Sequence, residues 1–282
     1  MAKSRWVKQQ PFANRSAIIA GGSQGIGLAV AREFVRLGGS VCVVALGALE
    51  GAREEVEPLR RDGTQFVETL LCDTTDMEKL RPMLENYIER HGVPEYLFNF
   101  VGYAYAQYVE RLTLADFRRN MDVNYYGQLV PTLIILPHYL AGKRGGYIAF
   151  TSSMLGYMGI MGYSTYSPTK HALVGLAETL RHELKPLGIT VSILYPPDTR
   201  TPGFDKENQS KPAECAMLSE TAGSLAPEEV AEAFIGGILR RTFQILPGKA
   251  KRYWRLFRHF PGVVRMLIDW DYVKARKKLG KA

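Results

Sequence analysis

The strongest constraint on this chain is the alternation of short apolar runs with longer stretches of helical periodicity. This alternation is typical of βαβ units, in which crossover helices join parallel strands. We predict strands over residues 16 to 20, 40 to 46, 65 to 71, 96 to 100, 146 to 152, 189 to 195 and 243 to 246. We predict helices over residues 25 to 38, 50 to 61, 76 to 91, 113 to 140 and 165 to 185, and another that opens at Pro227. The predicted fold is α/β, a single doubly wound, Rossmann-type parallel sheet of about seven strands with helices on both faces and its ligand at the carboxyl ends of the strands.

The first predicted strand ends in a glycine-rich loop, AGGSQGIG, at residues 20 to 27. Gly21, Gly25 and Gly27 would let the backbone turn tightly and approach a pyrophosphate at the N-terminus of the next helix. Glycine-rich turns also serve merely to join a strand to a helix, so the loop alone is a weak signal. Its position after the first strand favours dinucleotide binding.

Tyr166 and Lys170 in YSPTK are four residues apart and would share one face of a helix. A buried ammonium beside a phenol favours the phenolate, which lowers the pKa of the tyrosine toward the working range of a general acid. Ser153 follows the predicted strand GYIAFTS, where its hydroxyl could hold a substrate carbonyl oxygen while Tyr166 donates a proton. A tyrosine and a lysine at this spacing also occur on ordinary helices.

These motifs resemble the short-chain dehydrogenase/reductase family in their order and spacing, together with NFVG at 99 to 102, MDVNYYG and the proline-rich corner YPPDTRTPGF at 195 to 204. The resemblance implies that Tyr166 is the catalytic acid/base and that Lys170 lowers its pKa and binds the nicotinamide ribose. It also implies that Ser153 orients the carbonyl and that Asn124 holds the water of a proton relay. The implied cofactor-binding residues are Gly21, Ser23, Gln24, Gly25, Ile26, Gly27, Asp73, Asn99, Gly102, Tyr166, Lys170, Pro196, Thr199 and Thr201.

Two of these residues have simpler interpretations. Asn124 could stabilise a helix kink near Gly127, and Asp73 could cap the helix that begins at Met77, although Asp76 is the nearer capping candidate. By the resemblance, Asp73 would contact adenine and Asn99 would help to fix the cofactor-bearing strands.

The second predicted strand bears on the choice between NAD and NADP. No carboxylate stands near Leu46 to bind a ribose 2′-hydroxyl, which removes the usual signature of NAD specificity. The arginine that NADP-dependent relatives commonly carry at this position is also missing, which leaves Ser23 and Arg53 to meet a 2′-phosphate. Arg53 alternatively faces solvent on its helix. We favour NADPH, with NADH remaining open.

The proline-rich corner separates this chain from most family members, which have Pro-Gly where it has Pro196-Pro197. It resembles a branch of the family that reduces a lipid ketone and shares PPDT-x-TPGF, followed by EN, KP and SE. We therefore expect a small-molecule lipid ketone as substrate, covered by a lid segment at about 199 to 225. Asp198, Glu207 and Glu220 could each face an ammonium group on that substrate, or each be a solvated loop charge.

Charge and composition bound the remaining possibilities. Cys42, Cys72 and Cys215 are scattered and the histidines do not cluster, so we expect no metal site and no disulfide framework. The N-terminal residues 1 to 16 are polar and basic and are expected to form a short arm. Two charge-poor stretches, Val123 to Gly142 and Gly145 to Thr169, carry polar residues and prolines that argue against membrane spans.

Residues 14 to 250 are predicted to form the catalytic domain and residues 251 to 282 a basic, aromatic tail. From Lys249 onward the chain has eleven Lys and Arg against two Asp, a balance of +9 that leaves residues 1 to 248 at −1 of the total of +8. This composition suits a membrane interface, and packing on the domain or on a dimer partner is nearly as well supported. No motif supports nucleic-acid binding, which we do not expect.

We expect a homodimer or homotetramer in the cytoplasm, peripheral on a membrane if the tail binds lipid, and then on the cytosolic face of the endoplasmic reticulum in a eukaryote. Two other functions remain open. One is reduction of another ketone, such as a 3-oxoacyl thioester or a polyketide. The other is a non-catalytic, dinucleotide-binding sensor, against which the full set of Asn124, Ser153, Tyr166 and Lys170 argues.

Overall fold

The computed structural model describes residue 6 and residues 9–143 and 145–281, so residues 1–5, 7 and 8 of the predicted N-terminal arm lie outside the described residues. Seven strands form one parallel sheet in the order β3-β2-β1-β4-β5-β6-β7. The strands are β1 (Ser16–Ala20), β2 (Ser40–Ala45), β3 (Val67–Leu71), β4 (Tyr96–Asn99), β5 (Gly146–Thr151), β6 (Ile189–Leu194) and β7 (Gln244–Ile245). Each predicted strand is present to within two residues of its predicted bounds, and the strand order reverses at β1 and β4. The predicted doubly wound fold is confirmed.

Crossover helices connect these strands, and further helices follow the last of them. The helices are α1 (Gly25–Arg36), α2 (Leu49–Val56), α3 (Met77–His91), α4 (Leu114–Met121), α5 (Gly127–Gly142), α6 (Ser167–Leu184), α7 (Pro202–Ser210), α8 (Ala213–Ala222), α9 (Pro227–Leu239), α10 (Ala250–His259) and α11 (Pro261–Lys278). The prediction for 50 to 61 was too long, because α2 tightens into a 3₁₀ turn at Glu57–Leu59. Asp76 caps α3 through a hydrogen bond from the Lys79 amide, as predicted.

The predicted continuous helix over 113 to 140 was wrong. A π-helical turn at Asp122–Tyr126 separates α4 from α5. Within this turn the buried Asn124 side chain accepts a hydrogen bond from the Tyr103 amide at 2.8 Å and donates one to the Tyr103 carbonyl at 3.0 Å. These bonds hold the turn against the strand-end loop, and such a local widening is a frequent accompaniment of functional sites.

Helices cover both faces of the sheet and bury a core on each side. On one face α1 packs on α9, and the rings of Phe34 and Phe234 meet Phe98 of β4 edge-to-face. On the other face α3, α5 and α6 contribute Leu80, Ile134 and Leu173, all fully buried. Burial of each such side chain stabilises the fold by about 1.5–3 kcal/mol.

The lid and the tail form a helical layer at the carboxyl edge of the sheet. Thr201 caps α7 by accepting a hydrogen bond from the Phe204 amide, and α8 follows after a two-residue break. α11 packs against α8, where the buried Glu214 carboxylate accepts hydrogen bonds from the Tyr108 hydroxyl and from Lys281. The tail is therefore attached to the lid.

The two charge-poor stretches lie in elements of the α/β domain. Val130, Ile134 and Ile135 of α5 lie in the core, and Gly145 to Thr169 forms β5, the loop that follows it and the start of α6. Among the helices that the described residues form, none has the length and apolar character needed to cross a bilayer.

Candidate active site

A cleft of about 620 Å³ opens at the carboxyl ends of the strands, where the strand order reverses. All the predicted site residues line it except Asn99 and Asn124. The fold thus brings together motifs that are up to 180 residues apart along the chain, from Gly21 to Thr201.

The glycine-rich loop at the start of the cleft is shaped by close backbone approaches. A Cβ on Gly27 would lie 2.3 Å from the carbonyl oxygen of Gly21, and a Cβ on Gly21, which has φ +79°, would lie 2.7 Å from the Val101 amide nitrogen. A side chain at either position would collide with backbone, which cannot yield cheaply.

This loop fits a dinucleotide. The N-cap of α1, Gln24, makes no side-chain hydrogen bond to the helix, so the first-turn amides face the cleft with the positive end of the helix dipole. A cradle without side chains at a helix N-terminus matches the shape and charge of a pyrophosphate. Gly25 faces Thr201, whose Cγ2 would lie 3.0 Å from an added Cβ, so the opposite wall is close.

The end of the cleft beyond β2 and β3 carries little charge. Leu46 is 71% exposed and lines the cleft beside the buried Ser23. Arg53 is engaged by Glu57, with its Nε 3.1 Å from the carboxylate, and it does not reach the cleft, which agrees with its interpretation as a solvent-facing residue. Asp73 lines the cleft and accepts hydrogen bonds from the amide and hydroxyl of Thr75.

At the other end of the cleft, Ser153 follows β5 and faces the phenol of Tyr166. Its Oγ accepts a hydrogen bond from the Leu155 amide at 3.1 Å, and the serine hydroxyl is also hydrogen-bonded to Tyr166. The short 3₁₀ turn Met154–Gly156 holds this serine at the cleft wall.

Lys170 lies beneath Tyr166 and is buried. Its Nζ donates a hydrogen bond to the Thr151 carbonyl at 3.0 Å and lies 5.4 Å from the centre of the Tyr166 ring. A Cβ on Gly102 would lie 3.1 Å from this Nζ, so Gly102 leaves the lysine open to the cleft.

The pKa values differ from the sequence prediction. Burial raises the pKa of Tyr166, and the carboxylates of Glu207 and Asp198 add to the rise, whereas the hydrogen bond with Ser153 opposes it. Burial lowers the pKa of Lys170 to about 7. The prediction that Lys170 depresses the pKa of the phenol is wrong for this structure, because desolvation is the largest effect and raises that pKa. At neutral pH the phenol keeps its proton, as a general acid must.

Asn124 and Asn99 lie behind the cleft wall. The Asn124 amide also donates to Thr169 at 3.1 Å, one turn from Tyr166, so the π-helical turn is linked to the helix that carries Tyr166 and Lys170. Asn99, at the end of β4, is fully buried and donates a long hydrogen bond of 3.4 Å to Thr132. The side-chain oxygen of Asn99 has no partner among the described residues.

The proline-rich corner forms the wall opposite the glycine-rich loop. The Pro196 carbonyl accepts from the Met154 amide at 3.2 Å, which ties the corner to the Ser153 turn. Backbone hydrogen bonds join Asp198 and Arg200 to Leu225, so both ends of the lid segment are held together. The corner is thereby fixed on two sides.

Sequence reasoning missed a buried polar cluster under the lid. Tyr163 donates a short hydrogen bond to Glu207, which also pairs with Lys211 at 2.8 Å. The Lys211 side chain is 1% exposed and lies over the Phe204 ring. The four-residue spacing of Glu207 and Lys211 was visible in the sequence, but their burial depends on the fold.

With this geometry established, comparison with known proteins identifies the class. The family model described as short chain dehydrogenase matches residues 15–212, which is most of the chain. The protein therefore belongs to the short-chain dehydrogenase family, as its motifs predicted, and is an oxidoreductase that uses a nicotinamide dinucleotide.

Within this family, the chain is similar to reductases of one lipid ketone. The chain is 38% identical over 232 residues to 3-dehydrosphinganine reductase of Danio rerio, covering 80% of this chain and 69% of that protein. It is 36% identical over 245 residues to 3-ketodihydrosphingosine reductase of Bos taurus, covering 84% and 73%.

Solved structures agree with the fold. LigD from Sphingobium sp. strain SYK-6, in its apo form, is 26% identical with a TM-score of 0.73 and covers 90% of this chain and 97% of that chain. A 3-oxoacyl-[acyl-carrier protein] reductase from Brucella melitensis with bound NAD is 26% identical with a TM-score of 0.67 and covers 80% and 84%.

Proposed function

We propose that this protein reduces 3-oxosphinganine to sphinganine, with NADPH as the hydride donor. The observation that carries the proposal is the convergence of Ser153, Tyr166 and Lys170 on one cleft, in a chain that matches reductases of this ketone over 80% or more of its length. The branch motifs of the proline-rich corner support the same substrate.

In the proposed reaction, NADPH supplies a hydride to C3 of the substrate when it is bound. The Ser153 hydroxyl holds the ketone oxygen, and Tyr166 gives its phenolic proton to that oxygen, which leaves an alcohol at C3. The ammonium of Lys170 then stabilises the phenolate. Asn124, fixed by Tyr103 and Thr169, holds the water through which the phenol regains its proton.

The cofactor would occupy the long axis of the cleft. We propose that the glycine-rich loop binds the pyrophosphate and that Asp73 contacts the adenine. Thr199 and Thr201 would hold the carboxamide and phosphate beside Pro196, and Asn99 would fix the strands from behind. Because the cleft lacks a carboxylate at Leu46, nothing there repels a 2′-phosphate, and Ser23 is the nearest polar side chain that we assign to it.

The test is NADPH oxidation by the purified full-length chain with 3-oxosphinganine. We expect Tyr166→Phe to lower kcat by about 10²- to 10⁴-fold, because a general acid contributes that much, with unchanged NADPH affinity and thermal stability. Tyr126→Phe, at a tyrosine that is 46% exposed and outside the cleft, should match the wild type. Turnover of a 3-oxoacyl thioester with none of 3-oxosphinganine would overturn the substrate, and cofactor binding without any turnover would favour a sensor.

We further propose that residues 14 to 250 are the catalytic domain, that 199 to 225 is its lid, and that 251 to 282 attaches it peripherally to a membrane. One face of the tail packs on the domain, where Phe257 meets Tyr157. The other face exposes Phe260, Met266 and Trp270 at 59–61% among many basic side chains. Large apolar groups interleaved with cations suit the surface of an anionic bilayer. In a eukaryote this would be the cytosolic face of the endoplasmic reticulum.

Vesicle flotation tests the membrane proposal. We expect the wild type to float with vesicles that contain phosphatidylserine, less so at high salt. The double variant Phe260→Asp, Trp270→Asp should not float, because each carboxylate must leave water to enter the interface. Leu187→Asp, at a leucine that is 54% exposed and distant in sequence from the tail, is the control. Equal flotation of all three proteins would contradict the proposal.

We also propose a homodimer through α5. Leu133 and Leu140 lie seven residues apart on α5 and are 44% and 43% exposed, so both leucines lie on the outer face of the helix. Light scattering should find a dimer that Leu133→Asp converts to a monomer. An unchanged mass for the variant would exclude this face.

A further inference from the structure

A second, smaller cavity adjoins the Ser153 end of the cleft. It has a volume of about 70 Å³, and its lining is mainly apolar. Met154, Met158, Ile160 and Leu218 supply much of this lining, and Tyr253 of the tail helix α10 closes it. An alkyl chain attached to a ketone at Ser153 would find apolar surface in this direction.

Asp198 is the carboxylate that lies in both cavities. It lines the main cleft with Tyr166 and the smaller cavity with Ser153, and its carboxylate accepts a short hydrogen bond from the Ser219 hydroxyl of α8. Serine is neutral, so this bond orients the carboxylate and leaves its charge in place.

Asp73 lines the opposite end of the cleft, and the acids Glu207 and Glu220 are paired with a cation or lie outside the cleft. Glu207 lines the cleft, but the buried ammonium of Lys211 pairs with it. Glu220 is exposed and lines neither cavity. The cations Lys206 and Lys249 stand at the rims, where they are exposed to solvent and screened, and Lys170 is bonded to the Thr151 carbonyl. Lys211 also donates a long hydrogen bond of 3.4 Å to the Ser219 hydroxyl, but its ion pair is with Glu207. Among the described residues, Asp198 is therefore the carboxylate at the substrate end of the cleft that makes no direct ion pair.

The charge of Asp198 reaches the reacting centre. Its carboxylate contributes to raising the pKa of Tyr166, together with burial and Glu207. A cation bound between Asp198 and the phenol would oppose this effect and ease proton donation by Tyr166.

We propose that Asp198, positioned by Ser219, recognises the ammonium group on the carbon next to the substrate ketone. The inference rests on the proposed function and deepens it, because it assigns the residue that distinguishes an amino ketone from a plain ketone. The ammonium is one carbon from the carbonyl at Ser153, so its partner must lie in the same cavity, as Asp198 does. A charge-assisted hydrogen bond in this partly desolvated place stabilises the complex.

Paired inhibitors that differ only in the amine test the assignment. Sphinganine and octadecane-1,3-diol are compared as inhibitors of 3-oxosphinganine reduction by the full-length protein with NADPH. For the wild type we expect the amine to lower the inhibition constant by about 10- to 100-fold. Asp198→Asn should reduce that ratio to within about threefold of one, while the constant for the diol stays nearly unchanged.

Two further variants serve as a matched control and as a second test of the Asp198 carboxylate. Asp205→Asn, on the exposed face of α7 and outside both cavities, should keep the wild-type ratio. Ser219→Ala keeps the carboxylate and removes its hydrogen-bond donor, so it should lower the ratio in part even if Asp198→Asn fails to fold. An unchanged ratio in Asp198→Asn, or equal weakening of both inhibitors, overturns the assignment. A wild type that does not reduce 3-oxosphinganine overturns the proposed function instead.

Discussion

The two ends of the cleft are built in different ways. At the dinucleotide end, the shape comes from backbone: a Cβ added to Gly21 or Gly27 would lie only 2.7 Å or 2.3 Å from a backbone atom, so neither position has room for a side chain. At the substrate end, the shape comes from side chains on the lid and tail, above all the buried group of Tyr163, Glu207 and Lys211. A wall made of backbone tolerates few substitutions, whereas a wall made of side chains can change shape by substitution.

The largest effect is expected from breaking the ion pair under the lid. Lys211→Met leaves Glu207 partly buried without a cation and should lower the free energy of unfolding by about 3–5 kcal/mol. The lid should also become more susceptible to proteolysis. The double variant with Glu207→Gln should recover much of this loss, because no charge is then left unpaired. Urea unfolding and limited proteolysis measure it. A double variant as unstable as Lys211→Met would mean that packing, and not charge, holds the lid.

At the dinucleotide end, Gly27→Ala should weaken NADPH binding by about 100-fold, because the loop must shift away from its productive geometry. The matched control is Gly51→Ala in α2, where an added Cβ meets nothing within 4 Å. Alanine there should stabilise the helix by about 0.5–1 kcal/mol and leave binding unchanged. Calorimetric titration with NADPH measures the affinity of each variant. Equal affinities of Gly27→Ala and Gly51→Ala would contradict the claim that the backbone shape of the glycine-rich loop sets NADPH binding.

The boundary between the two ends is Lys170, whose pKa of about 7 lies below that of a free lysine. Between these pKa values the unfolded chain holds the proton and the folded chain has released it, so the lysine makes the wild type more stable as pH rises through this window. Relative to the wild type, Lys170→Met should therefore be more stable at pH 7 than at pH 9, by about 2 kcal/mol. Denaturant unfolding of both proteins at pH 7 and pH 9 tests this. A difference in unfolding free energy between variant and wild type that is the same at both pH values would contradict a lowered pKa of Lys170.

The smallest effect concerns the cofactor's 2′-position. Leu46→Asp should shift the preference from NADPH toward NADH by about tenfold, because an exposed carboxylate repels a 2′-phosphate only moderately. The control is Leu71→Asp, which is 65% exposed at the end of β3 and outside the cleft. Steady-state kinetics with both cofactors gives the ratio. Equal shifts in the two variants would place the 2′-phosphate elsewhere.

Much of the fold could be predicted because its signals are local. Most strands are runs of mainly apolar residues bounded by turns, and the cap at Asp76 depends on residues three positions apart. The helix over 113 to 140 was predicted wrongly because the π-helical turn depends on Tyr103 and Thr169, which are distant in sequence from Asn124. Hydrophobic periodicity reports only on nearby residues, so it cannot show hydrogen bonds to partners that are distant in sequence.

The sequence by itself determined the parallel sheet, the order of the motifs and the residues that could do the chemistry, because each follows from spacing along the chain. Only the tertiary structure decided their environment. Burial set the pKa values of Tyr166 and Lys170, and packing paired Glu207 with Lys211 while Asp198 received only the neutral Ser219 hydroxyl. Desolvation and charge pairing depend on every neighbouring group at once, so they appear only when the chain is folded.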